Sequence, residues 1–132
     1  MKTYLKYLII FVLGGAGYSL IEIMWRGYTH ISMTVTGGLC ICALWFFNER
    51  LRCGVIFKAV TGAVFITAVE LVAGIILNMV MGLGVWDYSR LPFNFMGQIC
   101  LSYTFYWFVL CLLFYEALHI IESFKKLRQI RH

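Results

Sequence analysis

Two glutamates stand inside apolar runs, where an ionisable side chain is expensive: Glu22 and Glu70. A charge at membrane depth must be paired, or must face a cavity, to be tolerated. Each acid therefore marks either a polar lock between helices or a group that handles a proton, a cation or a ligand. Tyr18 precedes Glu22 by four residues and Arg26 follows it by four, so the three share one helix face. An interfacial Glu22–Arg26 salt bridge is one reading of that spacing, and a functional site around Glu22, flanked by Trp25, is the other. Counting in fours through Glu70 gives Gly62, Ile66, Glu70, Gly74 and Asn78, a small and polar stripe on an otherwise apolar segment. Such a stripe faces protein or water rather than lipid. Glu70 is too far from either end of its segment to snorkel, so it is expected to be hydrogen-bonded, paired with a cation, or protonated.

The densest cluster of polar and aromatic residues runs Trp86-Asp87-Tyr88-Ser89-Arg90-Leu91-Pro92-Phe93-Asn94 and contains the only proline and the only aspartate. Asp87 or Ser89 can close a side-chain turn, and Pro92 fixes the local backbone. Trp and Tyr suit a membrane–water interface, so the stretch reads as an interfacial cap, or as a lid folded over the outer mouth of a helix bundle. Glu22, Arg26 and His30 reach the same side, and the convergence of Glu22, Arg26, His30, Asp87 and Arg90 is the best candidate site. The following segment opens with Asn94, Gly97 and Gln98. Gln98, Ser102 and Tyr106 share a face, with Tyr103 and Trp107 on a neighbouring stripe that serves packing or forms a ligand cage. The substrate- or ion-binding candidates are thus Glu22, Arg26, His30, Glu70, Asn78, Trp86, Asp87, Tyr88, Arg90, Asn94, Gln98, Tyr103 and Trp107. His30 with Glu22 or Asp87 could act as an acid–base pair if brought within hydrogen-bond reach. There is no nucleophile motif and no H-E-x-x-H signature. No catalytic residue, metal site or cofactor is assigned.

These residues must be positioned by apolar helices. The chain has 132 residues, 62% hydrophobic and 13% charged, against about 45–50% and about 25% in soluble domains. Four apolar segments are legible, Tyr4–Trp25, Ile31–Phe47, Val55–Gly82 and Phe95–Ile121, joined by Arg26–His30, Asn48–Gly54 and Leu83–Asn94. Each is set against the roughly 20 residues that span a bilayer. The expected fold is all-α: one polytopic membrane domain over residues 1–132, a bundle of four transmembrane helices. The long third and fourth segments should tilt or protrude. With the N-terminus inside, the inner side carries Lys2, Lys6, Arg50, Arg52, Lys58, Lys125, Lys126, Arg128 and Arg131, and the outer side only Arg26 and Arg90. That bias puts both termini in the cytoplasm. It assigns the net charge of +5 to topology and to anionic lipid rather than to nucleic acid. The start has the look of a signal peptide, but its apolar pattern continues to Met24, so it is expected to remain as the first span. Four of the five cysteines lie in apolar segments and are expected to behave as small hydrophobes. Neither a P-loop nor a Rossmann glycine signature occurs.

At these residues the chain resembles the CmpB-like family named for ABC-transporter type IV permeases, and the related animal four-helix membrane proteins of unassigned role. The resemblance rests on Gly17-Tyr18 with Glu22, on His30, on Glu49-Arg50, and on Glu70 with Gly74. Its most specific part is Trp86-Asp87-Tyr88-Ser89 followed by Pro92-Phe93-Asn94, Gly97, Tyr103 and Trp107. Val69 departs from the aromatic residue expected there in the animal relatives. The resemblance implies a compact helical membrane protein with a permease label. Three readings follow. The first is a small permease or channel-like protein of a bacterial cytoplasmic membrane, built as a homo-oligomer because four helices enclose little volume, with any ATPase on a separate subunit. The second is a non-transporting scaffold, sensor or lipid-binding subunit. The third, an intramembrane enzyme, has the least behind it.

Overall fold

A computed structural model describes residues 2–131. Helix α1 spans Thr3–Arg26, α2 Ile31–Arg50, α3 Val55–Gly74 and α4 Leu101–Arg131. All four, with α3 continued to Val80, are long and apolar enough to cross a membrane. At about 1.5 Å per residue they match or exceed a hydrocarbon core of about 30 Å.

Local chemistry sets the ends. Gly27 closes α1 in the left-handed conformation (φ 84°), its N–H donating to the Ile23 carbonyl, a cap that glycine adopts without steric cost. His30 begins α2, its Nδ1 accepting the Ser32 N–H at 3.1 Å. Extended residues Leu51 and Gly54 bound the connection to α3.

Helices α1 and α2 form one tight pair and α3 and α4 another, and α2 and α3 join the two pairs. The first pair is close because glycines meet side chains. A Cβ at Gly14 would lie 2.6 Å from Ile41 and one at Gly37 2.8 Å from Tyr18, the small-residue packing that lets helices approach in lipid. The core joining the pairs is Leu44, Ala59, Cys111 and Tyr115. There the Tyr115 hydroxyl donates to the Leu44 carbonyl at 2.7 Å, which keeps a buried polar group satisfied. The basic end is tied by Lys6 to Glu49, Lys58 to Asn48 and Asn48 to Glu122.

Two expectations about element boundaries are corrected. The third segment is not a uniform α-helix to Gly82: after Gly74 it continues as a π-helical turn, Ile75–Val80, which rotates Asn78 relative to an unbroken stripe. The fourth helix does not begin at Phe95. Residues Asn94–Phe95 (β1) and Ile99–Cys100 (β2) form a two-stranded antiparallel hairpin, pairing Asn94 with Cys100 and Phe95 with Ile99. Helix α4 starts only at Leu101 and runs ten residues beyond Ile121, to Arg131, so the basic tail is a helix.

Candidate functional site

Helices α1 and α4, the first and last, leave an open groove between them instead of packing along their length. Its deeper part, of about 620 Å³, reaches from Gly14 and Tyr18 on α1 past Cys40 on α2 to Glu70, Trp86 and Trp107. Its outer part, of about 480 Å³, is bounded by Glu22, Trp25, Tyr88, Tyr103 and Tyr106. Near the outer end the groove is bridged: Trp25 Nε1 donates to the Tyr103 hydroxyl at 3.4 Å, and the Trp25 ring sits edge-on to Tyr106.

Glu70 lies at the floor, 5% exposed. It is ten residues from the end of the span, or about 15 Å along the axis. Its Oε2 accepts the Tyr88 hydroxyl at 3.1 Å and its Oε1 the Trp107 indole N–H at 3.4 Å. Both oxygens thus have neutral donors. The ion pairs among the described residues are Lys6–Glu49 and Arg26–Glu22, so Glu70 has no cation within pairing distance.

Tyr88 reaches this depth because the loop after the π turn folds back into the bundle. Asn78 Oδ1 accepts the Val85 N–H at 2.7 Å, and Asn78 Nδ2 donates to Gln98 Oε1 at 2.8 Å. Trp86 Nε1 donates to the Gln98 carbonyl at 2.9 Å. Val85 and Trp86 pack with Met33 of α2. Gln98, buried itself, lies over Gly74. Asn94 ties the hairpin with its Oδ1 on the Gly97 N–H and its Nδ2 on the Leu91 carbonyl. Positive φ angles at Phe93, Met96 and Gly97 make the turn.

Glu22 is the one polar side chain buried on α1. It pairs with Arg26 and accepts the Thr29 hydroxyl at 3.0 Å. Arg26 also donates Nη1 to the Val85 carbonyl at 3.0 Å and lies over the Tyr28 ring, which fastens α1 to the folded-back loop.

The sequence-derived candidates therefore divide into three groups. Glu70, Tyr88, Trp107 and Tyr103 meet at the groove, with Tyr88 stacked on Tyr103 at 4.5 Å. Asn78, Trp86, Gln98 and Asn94 hold the loop, and Glu22 and Arg26 join α1 to it. His30, Asp87 and Arg90 are not drawn into this set. His30 bonds Ser32. Asp87 is exposed and accepts the Ser89 N–H at 2.9 Å, which, with Arg90 nearby, holds its carboxyl below its ordinary value of 3.8. Arg90 is exposed. No hydrogen bond links His30 to Glu22 or Asp87 among the described residues. Many groove residues stand outside the candidate set, among them Tyr18, Trp25, Met33, Cys40 and Tyr106. Tyr18, one turn before Glu22 on the same face, Trp25, which flanks Glu22, and Tyr106, on the face of Gln98, had sequence signals that could have found them.

Four helices long and apolar enough to cross a membrane, around a groove with a carboxyl at its floor, define an all-helical polytopic membrane protein. The family described as "Putative ABC-transporter type IV" matches residues 18–131, and the chain belongs to that family. No curated protein and no solved structure matches it.

Proposed function

We propose that this protein is a small membrane permease whose working site is the α1–α4 groove, with Glu70 as its charge-handling group. The observation that carries the proposal is Glu70 itself: a carboxyl at membrane depth, at the floor of an accessible groove, held by two neutral donors and no cation. A carboxyl that only locked helices together would not need to border open space. Glu22 belongs to the same site as the outer acid, and its pairing with Arg26 fixes the wall that carries Tyr18.

Several features support the rest of the reading. One chain forms a groove rather than an enclosed path, so a homo-oligomer would complete it. The sequence has no nucleotide-binding motif, so ATP-driven work would come from a separate subunit. The basic residues gather at the end where α1 begins and α4 finishes, which supports cytoplasmic termini in a bacterial inner membrane. The helical tail beyond Ile121, with Lys125, Lys126, Arg128 and Arg131, suits anionic lipid headgroups.

The test is flux through liposomes holding the purified chain, with wild type compared with Glu70→Gln. Flux of a cation or protons that is lost in the variant is the expected result. Background flux for both proteins, across inorganic ions and organic solutes, would overturn the proposal. The groove opens sideways and is almost wholly apolar, which favours a lipid-binding subunit as the second reading. That reading loses if purified protein alone gives selective flux.

A further inference from the structure

We infer that the α1–α4 groove takes lipophilic organic cations, ammonium or phosphonium compounds with aromatic or alkyl bulk, and that such a cation and a proton compete for Glu70. The substrate class rests on the permease reading for its transport, but not for its binding.

Charge selects the sign. The other ionisable groups that line the deeper part of the groove are Tyr18 from α1, Cys40 from α2 and Cys111 from α4, and Tyr88 from the loop bonds Glu70 itself. None is a cation. Glu22, the other buried acid, is already paired with Arg26. A charge in hydrocarbon is tolerated only when compensated, so the occupants open to Glu70 are a proton or a mobile cation, and an anion would be repelled.

The lining selects the chemistry. A metal ion that sheds its water into an apolar groove needs about six oxygen ligands in its place. Glu70 offers one carboxyl, and no group of three or more metal-ligating side chains occurs among the described residues. Aromatic rings surround the carboxyl instead. Tyr18 and Trp107 lie 6.0 Å apart between centroids, Tyr88 stacks on Tyr103, and Trp86 lines both parts of the groove. Aromatic rings attract organic cations, most strongly where water is excluded. The two parts of the groove, about 620 and 480 Å³, share Tyr18, Trp86 and Trp107 and are of the size that holds drug-like molecules. The sideways opening lets an apolar molecule arrive from the bilayer.

The experiment measures binding of radiolabelled tetraphenylphosphonium to the purified full-length chain in nanodiscs, beside neutral triphenylphosphine oxide. Saturable binding of the cation is expected, about tenfold or more tighter than the neutral compound because an opposite buried charge is met. Binding should weaken as the pH is lowered, since a proton removes the countercharge. In Glu70→Gln the preference for the cation should vanish, and in Glu70→Asp it should persist. Equal affinity for the two compounds in wild type, or cation binding that is insensitive to pH, overturns the inference without any variant. Undiminished cation binding by folded Glu70→Gln overturns it as well. If the cation does not bind while liposomes still show Glu70-dependent flux of other ions, this inference falls and the permease reading stands. Binding without flux of any kind leaves the site and removes the permease.

Discussion

Tyr88 lies nearly parallel to Tyr103, with ring centroids 4.5 Å apart and planes 10° from each other, while its hydroxyl donates to Glu70. A loop residue is thus held on α4 by its face and on α3 by its edge. Tyr88→Phe removes only the second hold. The expected cost is about 1–2 kcal/mol, the range for a hydrogen bond to an acidic group, read as a lower midpoint of unfolding in detergent. Tyr88→Ala removes the stacking too and should cost distinctly more. Equal midpoints for wild type and Tyr88→Phe would mean the hydroxyl contributes nothing.

Gly74 and Gly17 form a matched pair of tests. A Cβ at Gly74 would stand 2.5 Å from Gln98 Oε1 and 2.9 Å from Gln98 Cβ, whereas one at Gly17 would meet nothing within 4 Å. Gln98 cannot swing aside cheaply, because Asn78 holds its amide oxygen. Gly74→Ala should destabilise by about 1–3 kcal/mol, as overpacking does, and should shift the fluorescence of Trp86, which is bonded to the Gln98 carbonyl. Gly17→Ala should leave stability unchanged or raise it slightly, because alanine favours helix.

Arg26 satisfies three demands together: the buried Glu22 charge, the Val85 carbonyl and the Tyr28 ring. Arg26→Ala leaves Glu22 buried and unpaired, and a loss of about 3 kcal/mol or more in unfolding free energy is expected. Arg26→Lys keeps a cation but not the planar fork, so it should recover part of the loss. Arg26→Ala combined with Glu22→Gln should be less damaging than Arg26→Ala alone, and failure of that rescue would show that the pair is not the cause.

The turn at Asp87 gives a pH dependence of known sign. Its carboxyl titrates below its ordinary value because the charged form accepts the Ser89 N–H. A depressed folded-state value means that the contribution is fully present above the unfolded value and is lost as the pH falls through the folded one. Hydrogen exchange of the Ser89 amide should therefore quicken relative to its neighbours only in strong acid, below the ordinary carboxylate range. Asp87→Asn should remove that pH dependence while the groove keeps its ligand binding at pH 7.

The four spans and the inward stripe of α3 were legible because burial and helical period write themselves directly into residue type. Gly62, Glu70 and Gly74 are all buried, as the count in fours requires. Asn78 still joins the network, but through the π turn, which no hydropathy pattern reveals. The start of α4 was misplaced because Phe95, Met96, Ile99 and Cys100 are apolar and read as helix. Their hairpin depends on Asn94 bonding the Gly97 N–H, a contact that only geometry discloses. Its end was misplaced for the converse reason: Lys125 to Arg131 are polar yet helical, and apolarity is not helicity. At the site, sequence position brought His30 and Asp87 to the correct end of the bundle. Both then bond backbone N–H groups two residues away, and such local partners win over distant ones.

The groove also has a history in the life of each molecule. Its two walls come from opposite ends of the chain, and the Trp25–Tyr103 bond that bridges them spans 78 residues. The α1–α2 and α3–α4 pairs are neighbours in sequence and can assemble as each enters the bilayer. The site exists only once the last helix has docked. A fault anywhere in the core that joins the pairs, at Leu44 of α2, Ala59 of α3 or Cys111 of α4, would leave both pairs formed and inserted, yet with no cleft between them.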